Sequence, residues 1–191
     1  MSGNLELLRM RMLPFKDYNA IEVDIEEAFY QGFTGKPQNL ILFPYDSLPM
    51  LHQKSERQAL FDVVSNNLTQ GGLFAFHIST PAWNRTFIEA LRKPKIFEVP
   101  SFLDLPAFTT KYEVLPCSDT MYVKRLTYVE ADVVQHVTYS PVAILDPDEV
   151  VRMVLRSGLK LHRQFSDFGQ TPIEQLTDAV EDIVLEFIKE E

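Results

Sequence analysis

The chain has 191 residues, 46% of them hydrophobic, which is enough for one globular domain with a sizeable core. Its formal net charge of −9 argues against nucleic acid and anionic membranes as partners, because like charges repel. A lone cysteine, Cys117, excludes an internal disulfide, and residues 1–15 mix acidic and basic side chains, unlike a secretion signal. We therefore expect a cytoplasmic protein that binds neither nucleic acid nor membrane.

The first third of the sequence predicts alternating helices and strands. Apolar residues at helical spacing in residues 4–12 predict a short amphipathic helix, and the alternation of residues 21–24 predicts a strand that ends at Asp24. The unbroken apolar run of residues 40–43 is typical of a strand buried on both faces, as parallel strands usually are.

A helix and another strand follow that buried run. Ser55 and Gln58 form a capping-box pattern at the start of an amphipathic helix, which Gly71 and Gly72 would end. Residues 73–76 then make the next buried strand. The order strand, helix, strand predicts a parallel crossover unit.

The second half begins with a different pattern. Residues 112–115, 122–129 and 133–139 interleave polar residues with β-branched and aromatic ones, which predicts an antiparallel hairpin or small sheet with a turn at residues 130–132.

A helix and further strands are predicted for the C-terminal part of the chain. Asp146 and Pro147 are typical of a helix start, and Gly158 is placed to stop that helix. A strand is expected at residues 159–165. The last stretch suits either a strand or the end of an amphipathic helix, and we favour a helix from about Ile173 leading into a final strand.

Three segments together resemble class I S-adenosylmethionine-dependent methyltransferases. Residues 39–48 resemble the fourth strand of that family with its loop, and residues 71–78 resemble the fifth strand with its preceding glycine pair. Residues 135–169 resemble the end of small-molecule members, which carry a three-stranded antiparallel insert over the active site. The resemblance implies an α/β, Rossmann-like methyltransferase sheet in a single domain over residues 1–191, with an antiparallel β insert or lid at residues 98–142.

One part of the family pattern is missing from this sequence. Family members hold the cofactor with a glycine-rich turn after the first strand and an acidic residue on the second, and neither is present here. The chain is therefore expected to be N-terminally truncated relative to the family and to lack the first two strands of the order 3-2-1-4-5-7-6. Because an open apolar edge is unfavourable, we expect strand three to move beside strand four, a partner chain to complete the sheet, or a homo-oligomer to form.

The resemblance also implies a set of cofactor-binding residues. Asp24 and Ile25 end the expected third strand, where the acidic residue would contact the adenine; the alternative for Asp24 is a solvated strand end. After the fourth strand, the implied cofactor contacts are Pro44, Tyr45 and Ser47, and the Tyr45 ring suits a cation–π contact with the methylsulfonium.

Two residues are candidates for catalysis. Asp46 leaves the carboxyl end of a buried strand, where ligands bind in open α/β sheets, and its carboxylate could accept a proton or orient an amine. The competing interpretation is that Asp46 or Ser47 caps the next helix. His77, near the end of the fifth strand, is either a base or substrate contact or a core histidine. The spacing of the histidines predicts no metal site.

The sequence supports one main hypothesis for the function of the protein and leaves two alternatives open. The first hypothesis is transfer of the methyl group of S-adenosylmethionine to a nitrogen or oxygen of a small molecule, with Asp46 or His77 as the base. The second is a non-catalytic relic of the fold that serves as a binding or oligomerisation module. The third is a truncated fragment of a longer methyltransferase.

Overall fold

The computed structural model describes residues 36–43, 47–99, 107–166, 172–173 and 180–190. The main sheet has the strand order β1-β2-β8-β7, with β1 Gln38–Phe43, β2 Leu68–Ser79, β7 Lys160–Phe165 and β8 Asp182–Ile188. The insert sheet has the order β3-β4-β5-β6, with β3 Lys95–Val99, β4 Phe108–Ser118, β5 Met121–Glu130 and β6 Val133–Ala143. The helices are α1 Lys54–Asn67, α2 Pro81–Ala90 and α3 Pro147–Arg156, and Leu48–Met50 form a 3-10 turn.

The main sheet reproduces the 4-5-7-6 half of the expected order. Strands β1 and β2 are parallel and joined by α1, so the predicted crossover unit is confirmed. Strand β8 runs antiparallel to both β2 and β7. Among the described residues no strand lies beyond β1, which is therefore an edge of the sheet as described.

One face of the main sheet carries the core of the protein, and we call it the helix-covered face. Every second side chain of the inner strands β2 and β8 is buried there against α1 and α3. Phe76 stacks on Phe187 at 5.8 Å and on Phe61 of α1 at 6.1 Å between ring centroids. Each fully buried aromatic side chain of this kind contributes about 1.5–3 kcal/mol to stability.

The opposite face of the main sheet is much less covered. Leu40 and Leu42 of β1 are 52% and 56% exposed, whereas Ile41 and Phe43 on the helix-covered face are buried. The expectation that residues 40–43 are buried on both faces is therefore wrong for the described chain. The physical reason is that α1 and α3 both pack on the same side of the sheet.

The start of α1 differs from the prediction. The capping box is formed by Gln53 and Glu56, not by Ser55 and Gln58, and the Gln53 backbone N–H donates to Glu56 Oε2 at 3.1 Å. The same spacing of three residues occurs twice in this stretch, and packing of the helix selects the earlier pair.

The glycine pair does not end α1, because the helix stops at Asn67 and Leu68 already begins β2. Gly71 has a φ of 72°, and its N–H donates to the Lys189 carbonyl at 2.8 Å. A Cβ on Gly72 would lie 2.8 Å from the Thr69 carbonyl oxygen. The pair therefore shapes an irregularity inside β2, where only glycine fits the backbone.

The predicted start and end of α3 are confirmed. Asp146 Oδ1 accepts a hydrogen bond from the Glu149 N–H at 2.9 Å, Pro147 opens the helix, and Gly158 has a φ of 84° just beyond its end. The strand expected at residues 159–165 and the final strand are also present as β7 and β8. The helices and strand expected at residues 4–12, 21–24 and after Ile173 lie largely or wholly outside the described residues.

The insert sheet is larger than predicted. It has four strands and runs from Lys95 to Ala143, whereas three strands within residues 98–142 were expected. The additional strand, β3, is short and exposed, so it lacks the alternation that would reveal it. The predicted turn between β5 and β6 is confirmed, with φ of 46° at Ala131 and 63° at Asp132, as a tight hairpin requires.

Candidate functional site

The candidate site lies at the carboxyl ends of β1 and β2, which meet because the two strands are parallel. Phe43, the last residue of β1, pairs with Phe76, so His77 is the first residue of β2 beyond that pair. The His77 side chain is on the opposite face and is 9% exposed. This position agrees with a site residue and with a core histidine, so both interpretations of His77 stand.

Most of the other predicted site residues lie outside the described residues. Asp24, Ile25, Pro44, Tyr45 and Asp46 belong to this group, and their roles stay predictions.

Ser47 is described and lies directly before the 3-10 turn. Its carbonyl accepts a hydrogen bond from the Met50 N–H at 3.1 Å, and its side chain makes no capping hydrogen bond. Ser47 nevertheless occupies the N-cap position of this turn, with Pro49 early in it, as the capping interpretation placed them, whereas the N-cap of α1 is Gln53. The turn separates Ser47 from the helix by six residues, which the sequence pattern did not reveal.

A pair of polar side chains that the sequence pattern did not reveal lies at this edge. Ser79 of β2 faces Asp182 of β8 in the strand register, and Ser79 Oγ donates to Asp182 Oδ1 at 3.0 Å. Because side chains alternate along a strand, Ser79 and His77 share the opposite face. An imidazole, a hydroxyl and a carboxylate are thus brought to one corner of the sheet. The alternation of polar residues at positions 77 and 79 was the available signal for two of these three side chains.

A buried threonine fixes the geometry of this corner. Thr80 has no exposed surface, and its Oγ1 accepts from the Trp83 N–H at 3.2 Å and donates to the Val180 carbonyl at 2.7 Å. The Thr80 N–H donates to the Glu181 carbonyl at 2.9 Å. The end of β2, the start of α2 and the start of β8 are therefore held together by one residue.

A buried arginine supports the other side of the edge. Arg57 of α1 is 5% exposed, and its guanidinium donates to the Leu51 carbonyl, just after the 3-10 turn. Burial lowers the pKa of Arg57, while Glu149 and Glu56 raise it in part. Arg57 therefore ties the segment that leaves β1 to the first turn of α1.

The insert sheet is attached beside this edge. His52 Nε2 is hydrogen-bonded to the Pro141 carbonyl of β6 at 2.9 Å, and the other side of the sheet packs on α2 through a second core that includes Tyr122 and Ile88. Phe87 of α2 contacts Tyr112 of β4 at 6.3 Å between ring centroids and packs against this core. The insert is thus fixed both to the segment after β1 and to the helix after β2.

The charges at this edge suit a positively charged methyl donor. Neither residues 47–53 nor residues 77–84 contain lysine or arginine, and Asp182 adds a carboxylate next to them. A cationic sulfonium is therefore not repelled by these segments. None of the described glycines lies here, since Gly71 and Gly72 are at the other end of β2 and Gly158 follows α3. The charge of the described residues at this edge is thus compatible with a sulfonium, and no described glycine turn is present here for the rest of the cofactor.

The described part of the chain contains no group of three or more histidine, cysteine, aspartate or glutamate side chains that could hold a metal ion. No described helix is long and apolar enough to cross a membrane.

Comparisons with known proteins give a match at the level of structure. No protein-family model and no curated protein matches the chain. An S-adenosylmethionine-dependent methyltransferase from Clostridium acetobutylicum has a TM-score of 0.68 and 13% identity, and the match covers 95% of this chain and 70% of that one. The methyltransferase CcbJ from Streptomyces caelestis has a TM-score of 0.62 and 12% identity, with 90% and 63% covered.

A third structure is the sugar N-methyltransferase KedS8 from a Streptoalloteichus species. It has a TM-score of 0.60 and 12% identity, and the match covers 95% of this chain and 68% of that one. At such identities the likeness concerns the fold, and it agrees with the strand order and insert described above. The chain therefore has the Rossmann-like fold of class I S-adenosylmethionine-dependent methyltransferases.

Proposed function

We propose that this protein transfers the methyl group of S-adenosylmethionine to a nitrogen or oxygen of a small molecule. The observation that carries the proposal is the main sheet order β1-β2-β8-β7 combined with an insert sheet attached at the carboxyl ends of β1 and β2. A small-molecule acceptor is supported by two structural neighbours, the sugar N-methyltransferase KedS8 and the amino pentose methyltransferase CalS10, whose TM-score is 0.54 at 9% identity.

Direct methyl transfer requires positioning more than chemical catalysis. When bound, S-adenosylmethionine supplies a methyl group on a positively charged sulfur, and an aligned nucleophile can displace it. His77 and Asp46 are the proposed acceptors for the proton of the substrate. Asp182, held by Ser79 at 3.0 Å, adds a carboxylate to which an amine or hydroxyl of the acceptor can donate.

The proposed cofactor contacts follow from the family resemblance. Asp24 and Ile25 would hold the adenine side, and Pro44, Tyr45 and Ser47 would hold the side of the sulfonium, with the Tyr45 ring stabilising its charge. The edge without lysine or arginine supports this assignment.

The first experiment is calorimetric titration of the full chain with S-adenosylmethionine and S-adenosylhomocysteine. Saturable binding in the micromolar range supports the proposal. Absence of binding at millimolar ligand contradicts it and favours the non-catalytic binding module instead.

A second experiment separates catalysis from cofactor binding. Formation of S-adenosylhomocysteine is measured over a panel of amino sugars and hydroxylated small molecules. His77→Gln and Asp46→Asn are expected to lower the rate by roughly 10²-fold or more while cofactor affinity changes little. His162→Gln, an exposed histidine on β7, is the matched control and should leave the rate unchanged. Equal rates in all variants would exclude both residues as bases.

A further inference from the structure

A cleft lies between α1 and α3, on the outer surface of these helices. The face of the main sheet that carries His77 and Ser79 is on the other side of the sheet. It has a volume of about 400 Å³. Its lining includes three cationic side chains, one carboxylate and two neutral hydrogen-bonding side chains: Lys54, Arg152, Arg156, Glu149, Ser55 and Gln58. None of these residues belongs to the candidate methyltransferase site, so the cleft requires an explanation of its own.

The walls of the cleft are held in a defined arrangement. Helices α1 and α3 run in the same direction, since Lys54 pairs with Glu149 near their first turns and Gln58 Nε2 donates to Ser157 Oγ at 2.8 Å further along. Asp62 at the far end accepts a hydrogen bond from Ser157 Oγ at 2.6 Å. These contacts across the two helices fix the spacing of the cations.

The cleft has an excess of positive charge. Lys54 is paired with Glu149, but neither Arg152 nor Arg156 forms an ion pair with the described residues. Three cations and one carboxylate among the lining residues give 3 − 1 = +2 in a chain whose net charge is −9. Arg152 and Arg156 lie one turn apart on the same helix, so both guanidinium groups can reach one ligand.

The cations of the cleft suit an oxyanion. Lys54 is the first residue of α1, and its ammonium pairs with Glu149 of α3. Guanidinium groups bind phosphate oxygens through two parallel hydrogen bonds, so the side chains of Arg152 and Arg156 match a tetrahedral dianion.

We propose that the cleft between α1 and α3 binds a phosphate group, free or as the monoester of a small molecule. The dianion would lie between the guanidinium groups of Arg152 and Arg156, with the Lys54 side chain on the α1 side of the cleft. A cleft of about 400 Å³ is larger than phosphate itself and leaves room for an attached organic group.

The test is calorimetric titration of the full chain with inorganic phosphate and with glucose 6-phosphate at low ionic strength. The double variant Arg152→Gln/Arg156→Gln is compared with the control Lys93→Gln/Lys95→Gln, which removes the same charge from exposed positions elsewhere. We expect saturable binding to the wild type, a loss of at least about tenfold in affinity in the double variant, and a change below about twofold in the control.

The outcomes separate the sources of the ligand. Tighter binding of glucose 6-phosphate than of phosphate identifies a phosphate ester, and equal binding identifies free phosphate. No saturable binding to the wild type, or equal weakening in both double variants, overturns the proposal. Both arginines are exposed, so we expect the variant to fold, as circular dichroism will show; the single variants Arg152→Gln and Arg156→Gln replace it if it does not.

Discussion

The two faces of the main sheet differ in how far they are buried. On the helix-covered face, Phe74, Leu185 and Phe187 have no exposed surface. On the opposite face, Leu40 and Leu42 are more than half exposed, and the polar cluster of His77, Ser79 and Asp182 lies at its corner. The same strands thus provide an apolar core on one side and carry polar side chains and exposed leucines on the other.

The largest expected effect is on the helix-covered face. Phe187→Ala removes a fully buried ring that stacks on Phe76, and we expect a loss of about 3–5 kcal/mol in the free energy of unfolding. Leu42→Ala on the opposite face should cost less than about 1 kcal/mol, because half of that side chain is already in water. Urea denaturation measures both values. Similar losses in the two variants would show that both faces are equally packed.

A smaller effect is expected at the corner of the sheet. Thr80→Val removes the cap of α2 and the hydrogen bond to the Val180 carbonyl, and should cost about 1–3 kcal/mol. Thr86→Val in the same helix is the control, since its exposed Oγ1 only returns a hydrogen bond to Ala82. Thermal unfolding monitored by circular dichroism compares the two. A control as destabilised as Thr80→Val would mean that helix propensity, rather than the corner, accounts for the loss.

Strand β1 is an exposed apolar edge of the main sheet as described. We expect its side chains to affect the self-association of the protein more than its folding stability. Edge strands with unpaired backbone groups and apolar side chains tend to pair with another chain. We expect the wild type to self-associate, and Leu40→Lys/Leu42→Lys to be monomeric with stability within about 0.5 kcal/mol of the wild type. Light scattering after size-exclusion chromatography measures the mass. Ile96→Lys on the exposed strand β3 is the control, and a monomeric wild type would contradict the expectation.

The smallest effect concerns the buried side of the insert sheet. Burial raises the pKa of Tyr112 above 10.0. Above about pH 10 the unfolded chain loses this proton while the folded chain retains it, so the unfolded state gains relative stability as pH rises through that window. Urea midpoints at pH 8 and pH 10.5 should therefore fall slightly more for the wild type than for Tyr112→Phe. An identical fall would show that Tyr112 ionises as in water.

Several elements were predictable because their signals are local. The cap of α3 depends on Asp146, Pro147 and Gly158, which act within the helix or directly beside it. The hairpin turn at Ala131 and Asp132 is determined in the same way by its own backbone. Where two local signals competed, as for the start of α1 at Gln53 rather than Ser55, the pattern alone was insufficient.

Part of the candidate site was predictable as well. His77 was predicted to lie near the carboxyl end of a buried strand, and it lies there in β2. Its role in catalysis stays a prediction. Asp182 was missed because its partner Ser79 is 103 residues away in the sequence. The apolar and polar pattern of each segment does not indicate which strand of the sheet it will pair with.

The sequence by itself indicated the strands β1, β2 and β7 and the helices α1 and α3, because apolar patterns of this kind act over a few residues. It left β8 open between a strand and a helix end, and it did not predict α2. Only the tertiary structure decided that one face of the main sheet is buried and the other exposed, that Ser79 meets Asp182, and that Arg152 and Arg156 line one cleft. Burial and contact depend on what packs against a residue, and that is a property of the whole fold.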